Sequence, residues 1–190
     1  MANDKPILGP ATCEWLLALA RRTIGLVVLG DVGTAPSEVP KEAAALCGCF
    51  VSLHAASGDL RGCIGTFEAS EPLWRNVMDM AAAAATNDPR FPAVSVEELS
   101  SCVIEISALS PRREATAADV VVGEHGLWIS RRSSRGVLLP QVATERGWDR
   151  ETFLEHTCQK AGLPRQAWRE PDTRIEVFTA QVFGEPRRLG

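Results

Sequence analysis

The chain has 190 residues, of which 45% are hydrophobic and 23% are charged, and its formal net charge is −4. This composition is typical of one compact domain with a buried core and excludes an intrinsically disordered chain. A small negative charge also argues against a generally basic surface for nucleic acid or membranes. No apolar run is long enough to span a bilayer, and no secretion signal is evident near the N-terminus. We therefore expect a cytoplasmic protein whose six cysteines are reduced thiols.

The first half of the chain is predicted to hold two helices and one β-hairpin. Apolar residues recur at helical spacing after Thr12, which we take as the N-cap of the first helix. The segment 49–67 alternates apolar and polar residues on both sides of a turn at 57–59, which predicts two paired strands. Pro72 suits the first position of a second helix, which we expect to end before the DPRFP loop at 88–92.

The second half is predicted to be mainly strands, with one further helix. That helix begins after the N-cap Asp149 and ends at Gly162, with Pro164 behind it. The predicted strands are 102–109, 126–130, 136–140 and 174–183. Because hairpins join most of the strands, the pattern favours an α+β fold, with a mixed or antiparallel sheet flanked by helices, over a doubly wound parallel sheet.

The hairpin carries the most reactive group of side chains in the sequence, in the stretch LRGCIGTF at 60–67. Side chains alternate across a strand, so Ser52 and His54 share one face of the first strand. By the same rule, Arg61 and Cys63 share one face of the second strand. A two-residue loop would place both pairs on the same face of the hairpin, with His54 opposite or diagonal to Cys63. A longer loop would break this arrangement.

Two interpretations of Cys63 follow from these neighbours. A cation favours the thiolate form of a cysteine and an imidazole can act as acid or base, so Arg61 and His54 would make Cys63 a candidate nucleophile. Gly62 and Gly65 would let a ligand or another backbone come close. Alternatively, Cys63 is a small buried residue beside glycines that a bend requires, and Arg61 is a structural ion-pair partner.

Three further polar residues are candidates for the site. Glu105 interrupts an apolar strand, so its carboxylate is either half of an ion pair with Arg61 or Arg90, or a general base. His125 lies in a predicted turn with the exposure that a functional histidine needs, although turn histidines are often merely solvated. Gln141 follows Leu-Leu-Pro and either presents its amide to a ligand or ties down a backbone group.

The sequence contains no pattern typical of a metal or cofactor site. The spacings of Cys47 with Cys49, and of His156 with Cys158, are not those of a zinc site. No Gly-rich phosphate loop or dinucleotide fingerprint is present, so we expect neither a metal nor a cofactor. The basic residues at 131–135 are interpreted as a solvated hairpin tip, or as a contact to phosphate or RNA backbone.

Several long stretches, in the same order along the chain, resemble the AMMECR family, named for a chromosomal region linked to Alport syndrome, midface hypoplasia and elliptocytosis. They are LRGCIGTF, DPRFP, CVIEISALSP, GEHGL, LLPQVATERGWDRETFLEHTCQKAGLP and the closing strand. The resemblance covers most of the chain, from about Gly48 to Phe183. It implies a single α+β domain over 1–190, with a larger lobe built from both chain ends, a smaller lobe inserted in it, and a cleft between the two.

The resemblance also implies which residues matter and in what setting. The positions carried over from the family are Arg61, Gly62, Cys63, Gly65, Asp88, Arg90, Phe91, Glu105, His125, Gly126, Pro140 and Gln141. Glu124 stands where a basic residue is more usual, which argues against anion binding before His125. Family members resemble partners of Memo-like and radical-SAM proteins, a system linked to the modification of nucleotides or RNA. The family brings no securely established reaction.

Two functions from different classes therefore stay open, one enzymatic and one not. In the first, Cys63 is activated by Arg61 and performs thiol chemistry on a nucleotide, RNA or small-molecule substrate. His54 or His125 would assist it. In the second, Arg61, Arg90 and the glycine backbone form a ligand- or protein-binding cleft, and Cys63 fills space. The oligomeric state and the identity of any protein partner also stay open.

Overall fold

The computed structural model describes residues 8–186 of the chain. Its four helices in that range are α1 (Pro10–Val28), α2 (Leu73–Thr86), α3 (Pro140–Glu145) and α4 (Arg150–Lys160). Its eight strands in that range are β1 (Cys49–His54), β2 (Leu60–Thr66), β3 (Val103–Leu109), β4 (Arg113–Glu114), β5 (Gly126–Arg131), β6 (Ser134–Leu138), β7 (Arg174–Phe178) and β8 (Ala180–Gly184).

The described residues form two compact units, and each contains one four-stranded sheet. The first unit comprises residues 8–109 and 181–186, and its strand order is β2-β1-β3-β8. The second unit comprises residues 110–180, with the order β4-β7-β5-β6. β1 pairs antiparallel with β2 and β3, and β5 pairs antiparallel with β6 and β7. Helices combined with antiparallel sheets confirm the predicted α+β class.

α1 and α2 cover one face of the first sheet. Val51 and Leu53 of β1 point to that face and are fully buried. Burial alternates along β1, because successive side chains of a strand point to opposite faces of the sheet. Phe50, Ser52 and His54 therefore lie on the second face, where they are half-buried. This second face carries the candidate site.

α4 packs on the sheet of the second unit through Phe153 and Cys158, which are fully buried. Asp149 is the N-cap of this helix, as predicted, because its Oδ1 accepts a hydrogen bond of 2.8 Å from the Thr152 backbone N–H. Gly162 follows the last turn in a left-handed conformation, with a φ of 71°, which glycine adopts without strain. Both ends of the predicted helix are thus marked by the residues that the sequence indicates.

Two helices begin where the sequence does not predict them. α1 begins at Pro10 rather than after Thr12, because the first helical position needs no backbone N–H donor and suits proline. The sequence predicts a strand that ends at Pro140, but this proline instead opens α3, and β6 ends at Leu138. Proline suits both the end of a strand and the first turn of a helix, so local sequence does not separate the two.

The predicted closing strand, 174–183, is two strands. β7 ends at Phe178 and β8 begins at Ala180, and the two belong to different sheets. Between them the backbone of Thr179 is held by Ser110: the Ser110 N–H donates to the Thr179 carbonyl, and the Thr179 N–H donates to Ser110 Oγ, each at 2.9 Å. These hydrogen bonds mark the point at which the chain leaves one sheet for the other.

Candidate functional site

β2 is an edge strand of the first sheet, and side chains of the DPRFP loop cap its outer edge at Cys63. The Cys63 backbone N–H donates to Asp88 Oδ2 at 2.8 Å, and the Cys63 carbonyl accepts from Arg90 Nη2 at 3.1 Å. Without such partners, the free groups of an edge strand are open to pairing with another chain. Because both backbone groups point outward, Cys63 and its partner Ser52 form a non-hydrogen-bonded pair, in which side chains come close.

The Cys63 thiol lies in a row of polar side chains that crosses three strands. Ser52 of β1 is directly opposite both Cys63 of β2 and Glu105 of β3. Ser52 Oγ donates a hydrogen bond of 3.2 Å to Cys63 Sγ. All three side chains are half-buried, and the Glu105 carboxylate has no hydrogen bond or ion pair with a residue in 8–186. The row therefore offers a thiol, a hydroxyl and a carboxylate.

Asp88 is the buried anchor of this edge. Its side chain is 2% exposed and forms a bidentate ion pair with Arg90, from Nε to Oδ1 at 2.9 Å and from Nη2 to Oδ2 at 2.7 Å. These hydrogen bonds, together with that from the Cys63 N–H, hold the pKa of the Asp88 carboxyl well below its usual range. The pKa of Arg90 is raised, chiefly by Asp88 and further by the nearby Cys63 thiol. Arg90 is thus the guanidinium beside Cys63.

Arg61, which the sequence indicates as the activating cation, is bound to a different group. Its guanidinium makes two hydrogen bonds to Glu98, at 2.8 and 3.0 Å. Two more reach the carbonyls of Pro92 and Ala93, at 2.8 and 3.2 Å. The hydrogen bonds from Arg61 lower the pKa of Glu98 to about 2. Arg61 therefore ties the loop at 92–98 to β2.

Two glycines of the LRGCIGTF stretch allow close packing. A Cβ at Gly62 would lie 2.3 Å from the Ala84 carbonyl oxygen of α2, and a Cβ at Gly65 would lie 2.2 Å from the Phe50 ring. The Phe50 ring in turn packs edge-on against Phe67, with the ring centroids 4.8 Å apart. β2 can therefore approach α2 on one face and the Phe50 ring on the other only because both positions lack a side chain.

His54 is not opposite Cys63. The hairpin loop spans 55–59, which is longer than the two residues that this pairing requires, and a bulge shifts the register so that His54 pairs with Leu60. Both ring nitrogens of His54 are enclosed and have no hydrogen-bond partner among residues 8–186. The direct opposition of His54 and Cys63 is therefore wrong: Ser52 is opposite Cys63, and His54 lies two residues farther along β1 on the same face.

His125 is buried, with 6% of its surface exposed, so its predicted exposure in a turn is wrong. It lies in the second unit, where its Nδ1 accepts a hydrogen bond of 3.1 Å from the Val121 backbone N–H. Burial and the charge of Arg113 lower the pKa of His125, so the ring is neutral near pH 7 and holds the turn at 121–125. Gln141 lies in the same unit, in the first turn of α3.

Within residues 8–186, no cluster of three or more His, Cys, Asp or Glu side chains could hold a metal ion. No helix in this part of the chain is long and apolar enough to cross a membrane. The six cysteines are all free thiols, of which Cys13 and Cys63 are half-exposed and the other four are buried. Cys13 and Cys63 are thus the thiols that a reagent reaches most easily.

Residues 17–183 match the model of the AMMECR1 family. The chain belongs to this family. A protein of Methanothermobacter thermautotrophicus is 45% identical over 157 residues, which are 79% of this chain and 81% of that protein. A protein of Pyrococcus furiosus is 40% identical over 183 residues, which are 90% of this chain and 87% of that protein. The resemblance predicted from the sequence motifs is confirmed.

A solved structure extends the match to the AMMECR1 fold. The crystal structure of an uncharacterized protein from Pyrococcus horikoshii superposes with a TM-score of 0.87 at 37% identity, covering 94% of this chain and 93% of that one.

Glu98 is a residue of this AMMECR1 site that the sequence analysis missed. It binds Arg61 and also accepts a hydrogen bond of 2.9 Å from the Ser95 backbone N–H. Glu98 thus holds the loop that follows DPRFP against β2. The pattern Ser-x-x-Glu at 95–98 is that of a capping box, and this signal could have identified Glu98 as the residue that organises the loop.

Proposed function

We propose that this chain is a cysteine-dependent protein, an enzyme or an accessory factor, whose functional group is the Cys63 thiol. One observation carries the proposal: Cys63 is half-exposed, its Sγ accepts a hydrogen bond from Ser52 Oγ at 3.2 Å, and the Arg90 guanidinium lies beside it. A hydroxyl donor and a cation are neighbours that stabilise a thiolate, the nucleophilic form of cysteine. The family resemblance adds the setting, a Memo- and radical-SAM-linked system that modifies nucleotides or RNA.

The surroundings of the thiol favour one kind of chemistry over another. No imidazole or carboxylate within residues 8–186 is hydrogen-bonded to Cys63 Sγ, and Ser52 separates the thiol from Glu105. The thiol proton therefore passes to solvent or to the substrate rather than to a side-chain base. This favours attack of the Cys63 sulfur on an electrophilic carbon or sulfur without a side-chain base over base-assisted acyl transfer.

Iodoacetamide is expected to modify Cys63 first among the six cysteines of the native protein. Cys49 and Cys158 are fully buried and are expected to react at least about tenfold more slowly. Cys13 is half-exposed, but burial and the charges of Glu42 and Glu14 raise the pKa of its thiol, so it should also react more slowly. Peptide mass spectrometry after timed labelling at pH 7 measures each rate.

Two variants make the labelling test specific. Ser52→Ala removes the hydroxyl donor and is expected to slow labelling of Cys63 about fivefold, the factor that corresponds to a hydrogen bond with a net value of about 1 kcal/mol. Cys13→Ser, the matched control, is expected to leave the rate at Cys63 unchanged. Labelling of Cys63 only after unfolding would refute the proposal, because a functional thiol must be reachable in the native state.

A second function, that of a non-catalytic binding module, is favoured by the state of the two arginines. Arg61 and Arg90 each form a bidentate pair with a carboxylate, so neither guanidinium has a free bidentate edge for an anionic ligand. The unpaired carboxylate of Glu105 instead favours a partner that presents a cation or a hydrogen-bond donor. In this function Cys63 only fills space in the interface.

Binding to the Memo-like and radical-SAM proteins of the same organism separates the two functions. A binding module keeps nucleotide or RNA modification in Cys63→Ala, and loses at least about tenfold in partner affinity in Glu105→Lys. A cysteine-dependent protein loses the modification in Cys63→Ala while the partner still binds. Isothermal titration measures affinity and nucleoside mass spectrometry measures modification. Glu68→Lys, at an exposed position outside the row, is the matched control.

A further inference from the structure

The row of polar side chains that holds the Cys63 thiol continues onto the fourth strand of its sheet. A Cβ at Gly184 of β8 would lie 3.6 Å from the Glu105 Cβ, so these two positions share a face. From one edge strand of the sheet to the other, the row is Cys63, Ser52, Glu105 and Gly184. Because Gly184 has no side chain, β8 places no group beside the Glu105 carboxylate at this position.

The Glu105 carboxylate is the unbalanced charge of this row. It has no hydrogen bond or ion pair with a residue in 8–186. Its oxygens are not among the enclosed atoms that lack a partner in that range, so solvent reaches them. Arg61 and Arg90, in contrast, are each balanced by a carboxylate in a bidentate pair. The row therefore presents a net negative charge to a molecule in solution.

The thiol and this carboxylate are separated by one strand. Neighbouring strands lie about 4.8 Å apart, so the side chains of Cys63 and Glu105 project from positions roughly 10 Å apart on the same face. Between them lies only the small side chain of Ser52, whose hydroxyl donates to Cys63 Sγ at 3.2 Å. The ion pair of Asp88 with Arg90 lies on the other side of Cys63, at the outer edge of β2. A molecule that reacts at Sγ can thus extend over Ser52 toward Glu105.

We propose that the Cys63 site takes an electrophile that carries a positive charge, such as a protonated amine or a guanidinium group, on the side of its reactive atom that faces β3. This inference rests on the proposed function of Cys63 as the reactive group and adds the class of its substrate. The Glu105 carboxylate attracts the cation and repels a phosphate in the same place.

The reaction itself is a displacement at the electrophilic atom. Cys63 Sγ forms a bond to the electrophilic carbon or sulfur, and the leaving group departs with the electron pair of the bond that breaks. The thiol proton goes to solvent. The positive group of the substrate takes no part in the bonds that change, so its role is to position the electrophile over Ser52.

Three methanethiosulfonates test the inference through one reaction at Cys63. The group that each transfers to the thiol ends in a trimethylammonium, ends in a sulfonate, or is an uncharged methyl. In each case Sγ bonds to the sulfur of the reagent and methanesulfinate leaves. Peptide mass spectrometry after timed labelling, with digestion in the absence of a reductant, measures the rate at Cys63. Dividing this rate by that of the same reagent with mercaptoethanol removes the intrinsic difference between the reagents.

The normalised rate of the cationic reagent at Cys63 is expected to exceed that of the anionic reagent about tenfold in the native protein. The fraction of Cys63 that is ionised cancels from this ratio. Glu105→Gln keeps the size of the side chain and removes its charge, so its ratio is expected to fall to within about twofold of unity. Glu68→Gln, at an exposed position beyond the end of β2, is the matched control and is expected to keep the native ratio.

The salt dependence of the native ratio is a second measurement that needs no variant. High salt screens the charge of Glu105 and is expected to lower the ratio. The rate of the uncharged reagent, which is expected to stay the same in Glu105→Gln, shows that this variant keeps the native fold around Cys63.

Two results would overturn this inference and leave the proposed function of Cys63 intact. One is a normalised ratio near unity in the native protein although the uncharged reagent labels Cys63 readily. The other is a preference of native size that persists in Glu105→Gln, because a different charge would then select the reagent. Labelling of Cys63 by the uncharged reagent only after unfolding would instead overturn the proposed function and this inference together.

Discussion

Replacing Gly62 with alanine is expected to lower the free energy of unfolding by about 3 kcal/mol. The new Cβ would lie 2.3 Å from the Ala84 carbonyl oxygen. That oxygen belongs to the backbone of α2 and cannot rotate away, so the helix must move off the sheet. Urea denaturation followed by circular dichroism measures the change as a lower midpoint at an unchanged slope.

Gly25→Ala is the matched control, because it adds the same methyl group where nothing lies within 4 Å. Gly25 lies inside α1, where glycine is less favourable than alanine, so this variant is expected to gain about 1 kcal/mol of stability. The labelling rate of Cys63 is expected to change only in Gly62→Ala, since only that variant displaces β2. An unchanged midpoint in Gly62→Ala would contradict the close approach of β2 to α2.

The elements that the sequence predicts well are those whose ends are each marked by a single residue with a clear backbone preference. Asp149 and Gly162 identify the two ends of α4 through a cap and a left-handed turn, and both signals are local. Pro140 and Thr179 lie at boundaries that the sequence does not predict. Proline suits a strand end or a helix start, and the apolar alternation continues through Thr179 although the chain changes sheets there. Both outcomes depend on tertiary partners that a local pattern does not contain.

In the candidate site, too, some placements follow from the local sequence and others depend on tertiary packing. Strand periodicity combined with a two-residue loop predicts that Ser52 and Cys63 share a face. The loop is longer, but with the bulge between Leu53 and His54 the two residues still pair directly. The place of His54 depends on the loop length and on a bulge, and one extra residue in a strand changes the register. The sequence also identifies Arg61 and Arg90 as functional candidates but does not reveal which carboxylates bind them, because those carboxylates lie on a loop whose path is set by packing.

The LRGCIGTF stretch thus combines a rigid backbone with an accessible side chain. Both glycines allow close packing, and Arg61 fixes the neighbouring loop. The backbone N–H and carbonyl of Cys63 are each held by a side chain, from Asp88 and Arg90 respectively. The backbone at Cys63 is therefore held in place by contacts that do not involve the thiol. Such support orients a functional side chain and leaves it free to react.

Asparagine in place of Asp88 is expected to lower the free energy of unfolding at pH 7 by about 2 to 3 kcal/mol. The change removes the charge from a side chain that is 2% exposed, while the Arg90 guanidinium and the Cys63 N–H still point at it. Asp79→Asn is the matched control: Asp79 is 58% exposed and forms only a 3.9 Å pair with Arg75. Its expected effect is below about 0.5 kcal/mol. Chemical denaturation of both variants measures the two values.

The stability difference between the native protein and Asp88→Asn is expected to shrink in acid. The pKa of Asp88 is lowered in the fold, chiefly by Arg90, so the carboxylate contributes stability above its unfolded pKa of about 3.9. That contribution is lost as the pH falls through the lower, folded pKa. Glu98 titrates in both proteins, so its effect cancels in the difference. A difference that stays constant from neutral pH into strong acid would mean that Asp88 is not held as an anion by Arg90.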